Sequence, residues 1–187
     1  MWVEYNPVNM DFNQGHDDVS LSGFSFGYSQ AFSVASGKPL FLEAGLGVQY
    51  SFTSDFMDID DANFSMFSLK IPVNLIYSFQ IPNSAVSINP FVGLNLRYNV
   101  LGKITNDEDD DDDLDLFDKD EMGGSSNTFK RFQAGWHIGV KARFGESFMA
   151  GVSYGSDFSN IWEPKISGDK QGKAGISTTT LTIGFCF

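Results

Sequence analysis

The residue types that do chemistry fall in a few places along this sequence of 187 residues. His16-Asp17-Asp18 stands close to Ser20 and Ser22, a set from which a hydrolase or lipid acyltransferase could draw a nucleophile and a base. Nothing beside them specifies the oriented base or the oxyanion donors that such a reaction needs, so the segment reads as a polar loop. Between Asp107 and Glu121 the chain reads DEDDDDDLDLFDKDE, eleven acids against one base, Lys119. Asp109, Asp111 and Asp113 alternate as the first ligands of an EF-hand do. Position six of that frame is Leu114, where the sharp turn needs Gly, and position twelve is Asp120 rather than Glu. An EF-hand is therefore not expected. Asp109, Asp110, Asp111, Asp112, Asp113 and Asp115 remain candidates for weak, diffuse Ca²⁺ binding, with Asp58-Ile59-Asp60-Asp61 adding carboxylates from another loop. A solvated loop without any ion is the competing reading. A further set, Glu43, Lys70, Arg97, His137, Lys141 and Arg143, is scattered in sequence, so whether its members meet depends on the elements that carry them. The single Cys, Cys186, excludes an internal disulfide framework and a Cys-rich zinc site. It reads as a small space-filler with no redox role. No specific metal site and no cofactor are expected.

The elements follow from the period, which is two almost everywhere. In 67–81 the odd positions Phe67, Leu69, Ile71, Val73, Leu75, Tyr77, Phe79 and Ile81 are all apolar, against Ser68, Lys70, Pro72, Asn74, Ile76, Ser78 and Gln80. In 132–144 Phe132, Ala134, Trp136, Ile138, Val140, Ala142 and Phe144 alternate with Gln133, Gly135, His137, Gly139, Lys141 and Arg143. The runs at 40–52 and 86–100 repeat the pattern. Such alternation predicts strands with one apolar and one polar face. Eight runs are found, at roughly 3–12, 20–35, 39–53, 66–81, 85–101, 129–145, 147–158 and 176–187. Pro7 interrupts the first and its apolar parity shifts there, which predicts a bulge. Tight turns at Ser36-Gly37-Lys38, Pro82-Asn83-Ser84 and Gly145-Glu146 alternate with long connections. Eight antiparallel strands connected in this way predict an all-β, up-and-down transmembrane barrel filling residues 1–187 as one domain, with an acidic flexible loop at about 102–128. All six chemistry-bearing residues of the scattered set then fall on the inward row. They predict a lumenal salt-bridge network, since buried charges must be paired, with an ion-selective or ligand-binding lining as the alternative. An eight-stranded barrel is just wide enough for side chains to fill, so no open pore is expected. Pro72 and Pro90 need bulges or strand ends, because a closed barrel has no free edge.

Composition separates a membrane barrel from a soluble lipocalin-like carrier, which alternates too. The net charge is −12, but without the acidic run the chain holds 13 acids against 11 bases. The body is nearly neutral, and no basic face exists for a nucleic acid. The strands are longer than the ~5–6 residues of soluble sheets, and their polar face is rich in Gly, Ser and Asn where a soluble exterior would carry Lys and Glu. Aromatics gather at strand ends and aliphatics in the middle, as a bilayer requires. No run reaches the ~18–20 apolar residues of a membrane helix. The start lacks the n-region, h-region and cleavage site of a signal peptide, so it reads as a mature form.

The last residues add a resemblance. Leu181, Ile183, Phe185 and Phe187 share one parity and end in Phe, which resembles the terminal signal by which Gram-negative outer-membrane barrels are recognised for assembly. The segments LEAGLGVQYSF at 42–52 and LKIPVNLIY at 69–77 resemble the PorT-like outer-membrane β-barrel family, and NPFVGL at 89–94 and GVSYG at 151–155 fit as well. The resemblance implies an outer-membrane location, contacts with outer-membrane lipid and the barrel-assembly machinery, and no catalytic residues. The expected function is a non-enzymatic barrel with periplasmic termini, presenting long acidic loops outside the cell for surface interaction or binding. A transport or secretion accessory is the alternative. The extracellular or periplasmic partner is not legible.

Overall fold

The computed structural model describes residues 1–13, 19–54, 62–106, 114–117, 129–161, 165–166, 169–170 and 173–187. In chain order the strands are β1 (Trp2–Tyr5), β2 (Val8–Asn13), β3 (Val19–Ser33), β4 (Leu40–Thr53), β5 (Ala62–Tyr77), β6 (Phe79–Gln80) and β7 (Val86–Asn106). There follow β8 (Leu114–Asp115), β9 (Phe132–Phe144), β10 (Phe148–Asp157), β11 (Lys165–Ile166), β12 (Asp169–Lys170) and β13 (Lys173–Phe185). Eight staves close an antiparallel barrel: β1 with β2, then β3, β4, β5 with β6, β7, β9, β10 and β13. Closure comes from β1 and β2, each of which pairs with β13 on one side and β3 on the other. The tight turns lie at the end that also holds both termini. Gly37, Asn83 and Gly145 adopt φ of 73°, 57° and 64° there, the left-handed conformation that tight turns demand. This is the turn end; the long connections define the loop end.

The apolar row faces outward. Leu46, Leu94, Ile138 and Ile183 are about half exposed or more, whereas Ser25, Gln49, Asn74 and Thr182 are buried. A soluble carrier would show the reverse, so the lipocalin-like arrangement is excluded. Aromatics flank the aliphatic belt: Tyr77 with Phe79 and Phe148 with Phe185 at the turn end, Tyr5 with Phe24 and Tyr50 with Phe52 toward the loop end.

At the loop end the two faces exchange character. Val8, Met10, Val19, Leu21, Phe64, Met66, Ala174 and Ile176 point inward and are buried, while Asn9, Asp11, Ser20 and Lys103 on the outer face are exposed. The twenty-one residues of β7 span roughly 50–60 Å of barrel axis at ~3.4 Å each and a ~35–45° tilt, about twice the ~25 Å of a bilayer's apolar band. The staves therefore leave the bilayer and continue as a water-solvated barrel with an apolar core. Buried side chains such as Phe64 and Met10 contribute about 1.5–3 kcal/mol each to that core.

This exchange corrects the expected bulge at Pro7. Tyr5 pairs with Leu181 and Val8 with Thr178, and on the other side Tyr5 pairs with Phe24 and Val8 with Leu21, so the register runs through Pro7 unchanged. Trp2, Asn6, Val8 and Met10 all point inward; only the solvent outside has changed. The register shift lies elsewhere, between Phe67 and Ser68, whose partners Leu101 and Asn99 leave Val100 out of the ladder. The two strand prolines each forfeit pairing locally. The β4–β5 rungs are missing at Gly45 and Leu46, opposite Pro72 and Ile71. Pro90 lies opposite the break between β5 and β6, where the Ser78 N–H donates to the Pro39 carbonyl instead (2.8 Å).

The segment expected to be loop from 102 also differs. Residues 102–106 extend β7, and Leu114–Asp115 pair back onto it at Lys103 and Ile104. Leu116 and Phe117 then turn into the barrel mouth and are buried there, with the Leu116 N–H donating to the Gly102 carbonyl (3.0 Å). Gly102 is needed, since a Cβ would lie 2.9 Å from the Phe117 ring and 3.0 Å from Leu116. An acidic stretch thus carries its own apolar anchor.

Candidate functional site

Inward positions of neighbouring staves bring most of the scattered ionisable residues into the lumen, because alternate residues on every stave converge on one axis. Lys141 on β9 donates to Glu43 Oε1 on β4 (2.6 Å), and Asn74 Nδ2 on β5 donates to the same oxygen (2.7 Å). That leaves Asn74 Oδ1 as an acceptor facing His137 Nε2, which places the imidazole proton on Nε2. Phe91 packs edge-on to His137 (centroids 5.6 Å) and lies 5.0 Å from the Lys141 ammonium. One layer nearer the loop end, Lys70 pairs with Glu4 (2.6 Å), whose other oxygen accepts from Thr182 (3.4 Å). The Lys70 ammonium stands 5.6 Å from the Trp2 ring. Trp2 occupies a slot that exists because Gly27 and Gly47 lack side chains; a Cβ at either would collide with its indole. Arg97 forms an ion pair with Asp157 across the β7–β9–β10 seam. Above these, Ser68 donates to Asn99 (2.7 Å), Asn99 to Gln133 (3.3 Å), Thr180 to Asn6 (3.0 Å) and Asn6 to Ser25 (2.6 Å).

Among the described residues the lumen is thus filled by three ion pairs and a neutral hydrogen-bonded layer. Each buried charge meets an opposite one, which is the condition for holding it there. Around Glu4, Lys70, Asn74, His137 and Lys141 a cavity of about 20 Å³ remains, room for about one water and for no ligand. The apolar core at the loop end lies above the polar layers. Phe117 closes it, with the Arg131 guanidinium 4.4 Å over its ring and donating to the Val100 carbonyl (2.9 Å).

Five of the six expected lumenal residues therefore sit inside: Glu43, Lys70, Arg97, His137 and Lys141. Arg143 does not join them; it is exposed at the turn end and donates to the Glu146 carbonyl (2.7 Å). Glu4 and Asp157, partners in two of the pairs, were not singled out from the sequence, although their parity matches that of inward neighbours Asn6 and Gly155. Asp115 caps its own turn by accepting from the Phe117 N–H (2.8 Å). Asp109–Asp113, His16–Asp18 and Asp58–Asp61 lie outside the described residues. Ser20 is exposed and donates to Asn9 (3.1 Å). Leu181, Ile183, Phe185 and Phe187 all face outward, and Cys186 lies on the inward row at the turn end.

A family model described as outer membrane protein beta-barrel domain matches residues 4–163. No curated protein matches the sequence. Among solved structures the barrel is similar to the outer membrane enzyme PagL, with 13% identity and a TM-score of 0.52 over 98% of this chain and 99% of that one. It is also similar to Neisserial surface protein A (15%, TM-score 0.50, 98% and 96%). A third similar structure is the attachment invasion locus protein Ail of Yersinia pestis with the heparin analogue sucrose octasulfate (10%, TM-score 0.51, 98% and 94%). At these identities the likeness is one of fold.

Proposed function

We propose a function from one premise: the chain belongs to the outer membrane protein β-barrel domain family. It is an outer-membrane β-barrel protein, and its working surface is the set of long connections at the loop end, displayed outside the cell, with both termini in the periplasm. It is not an enzyme. The observation that carries this reading is the closure of the barrel from within: three ion pairs fill the lumen and an apolar core seals its loop end. A filled barrel has no path to conduct through, and the space beside His137, hydrogen-bonded to Asn74, is too small to admit a substrate to a nucleophile. What remains for recognition is the loop surface, whose acidic run favours cationic partners and weakly held Ca²⁺. Surface and attachment proteins occur among barrels of similar fold, and so does an enzyme. A second reading, an accessory in transport or secretion, rests on the PorT-like segments at 42–52 and 69–77.

Surface labelling tests the orientation on which this depends. In a Cys186→Ser background, a membrane-impermeant maleimide added to intact cells should modify Asp111→Cys and spare Ser84→Cys in the turn. The opposite pattern would put the acidic run in the periplasm and overturn the proposal. Cells carrying the intact run should also adhere to a polylysine surface at low salt better than cells with its acids changed to Asn and Gln.

A further inference from the structure

The lumen is closed at the loop end but opens at the turn end. Two adjoining cavities of about 200 and 350 Å³ share Ala31, Glu43, Arg143, Met149 and Cys186 in their linings. The larger falls within the roughly 300–1,000 Å³ of small-molecule sites, and both far exceed the space at the sealed centre. The chamber is blind: its far wall is the Glu43–Lys141 pair, and the packed layers described above lie beyond it. Phe41, Ile76 and Met149 give the smaller cavity an apolar side, facing Ser78, Ser87 and Asn89. Glu43 and Lys141 cancel within it, and the Met1 ammonium at the rim of the larger cavity is turned to the Phe185 carbonyl (2.8 Å), which leaves the Arg143 guanidinium as the cationic side chain at the mouth. Arg143 donates one bond to the Glu146 carbonyl, and a guanidinium has five N–H donors in a planar fork suited to a carboxylate.

We propose that this chamber is a binding site for a carboxylate on an apolar chain of about ten non-hydrogen atoms, its head held by Arg143 and its chain laid against Phe41, Ile76 and Met149. The chemistry is that of a medium-chain fatty acid or of the C-terminal residues of an apolar peptide. The site is separate from the loops, so the proposal stands or falls apart from their role in recognition.

Cys186 supplies the reporter, because its thiol shares both linings. The full chain is folded into lipid nanodiscs, and the rate of Cys186 alkylation by N-ethylmaleimide is followed by mass spectrometry with octanoate, N-acetyl-Leu-Phe or octyltrimethylammonium present. Octanoate should slow alkylation several-fold and octyltrimethylammonium should not. Arg143→Gln should weaken the octanoate effect about tenfold or more in concentration, as expected for loss of a charge-assisted hydrogen bond, and Arg143→Lys should restore part of it. Ala31→Trp, which fills the chamber from an exposed position, should abolish the octanoate effect while the barrel still folds. Protection by octanoate alone identifies a fatty acid, and protection by the dipeptide as well identifies a peptide terminus. Calorimetric titration with octanoate gives the same answer if Cys186 alkylates too slowly. Three results would overturn the proposal: no octanoate binding by either readout, equal protection by the cation, or protection undiminished in Arg143→Gln.

Discussion

Arginine substitutions on the outer face should cost amounts that depend on height along the barrel. Leu94 on β7 is 49% exposed in the middle of the aliphatic belt, and its register partners are Val73 and Trp136. Leu94→Arg places a charge near the bilayer midplane and should cost about 2–4 kcal/mol. Asn9 on β2 is also outward and exposed, but it sits level with the apolar core, where the outer face is polar. Asn9→Arg forfeits only the exposed bond from Ser20 (3.1 Å) and should cost no more than about 1 kcal/mol. The neighbouring inward residue, Met10, is fully buried, and Met10→Ala should cost about 2–5 kcal/mol through lost burial and a cavity. Urea titration of protein folded in phospholipid vesicles, followed by Trp fluorescence, measures all three on one scale. The expected order is Leu94→Arg and Met10→Ala both well above Asn9→Arg. If Asn9→Arg destabilises as much as Leu94→Arg, the bilayer covers the whole stave and the exchange of faces has been misread. A neutral Met10→Ala would mean that the loop end holds no packed core.

Other consequences are measurable in the same system. Glu43→Leu or Lys141→Met alone should destabilise by about 3–5 kcal/mol, because each strands a buried charge, while the double substitution should recover most of that loss. Gly27→Ala should displace the Trp2 indole from its slot, seen as a shift in Trp emission with reduced stability. Deleting 107–113 should leave insertion and stability nearly unchanged, since loop shortening changes closure entropy little, and should remove most weak Ca²⁺ binding in calorimetric titrations. Leu116→Ser with Phe117→Ser, by contrast, should loosen the loop-end core and speed hydrogen exchange in Met10, Phe64 and Ile176.

The architecture was legible because one row of each stave meets lipid and the other meets a narrow lumen, so alternation survives over ten residues or more. The exchange of faces is not legible from the period, although its trace is present in Val8 and Met10 after Tyr5, and in Phe64 and Met66 before Phe67. A period argument assumes one solvent along a strand, and these strands cross from lipid to water. Leu114, Leu116 and Phe117 were similarly hidden inside a run whose average charge predicts a solvated loop. Of the lumenal network, parity indicated membership but not pairing. Lys141 and Glu43 are 98 residues apart, and only the shear of the closed barrel decides which inward side chains share a layer. Arg143 has the right parity yet lies near its turn, at the open mouth of the lumen, where it joins no ion pair of the packed layers.

The claim that the barrel is closed from within meets its most direct test in single-protein conductance across a planar lipid bilayer. Lumenal ion pairs beneath an apolar core predict that inserted, folded protein shows no stable conductance step at either polarity. A steady, porin-like step from the same preparation would contradict it, and would move the function from the loop surface to the lumen.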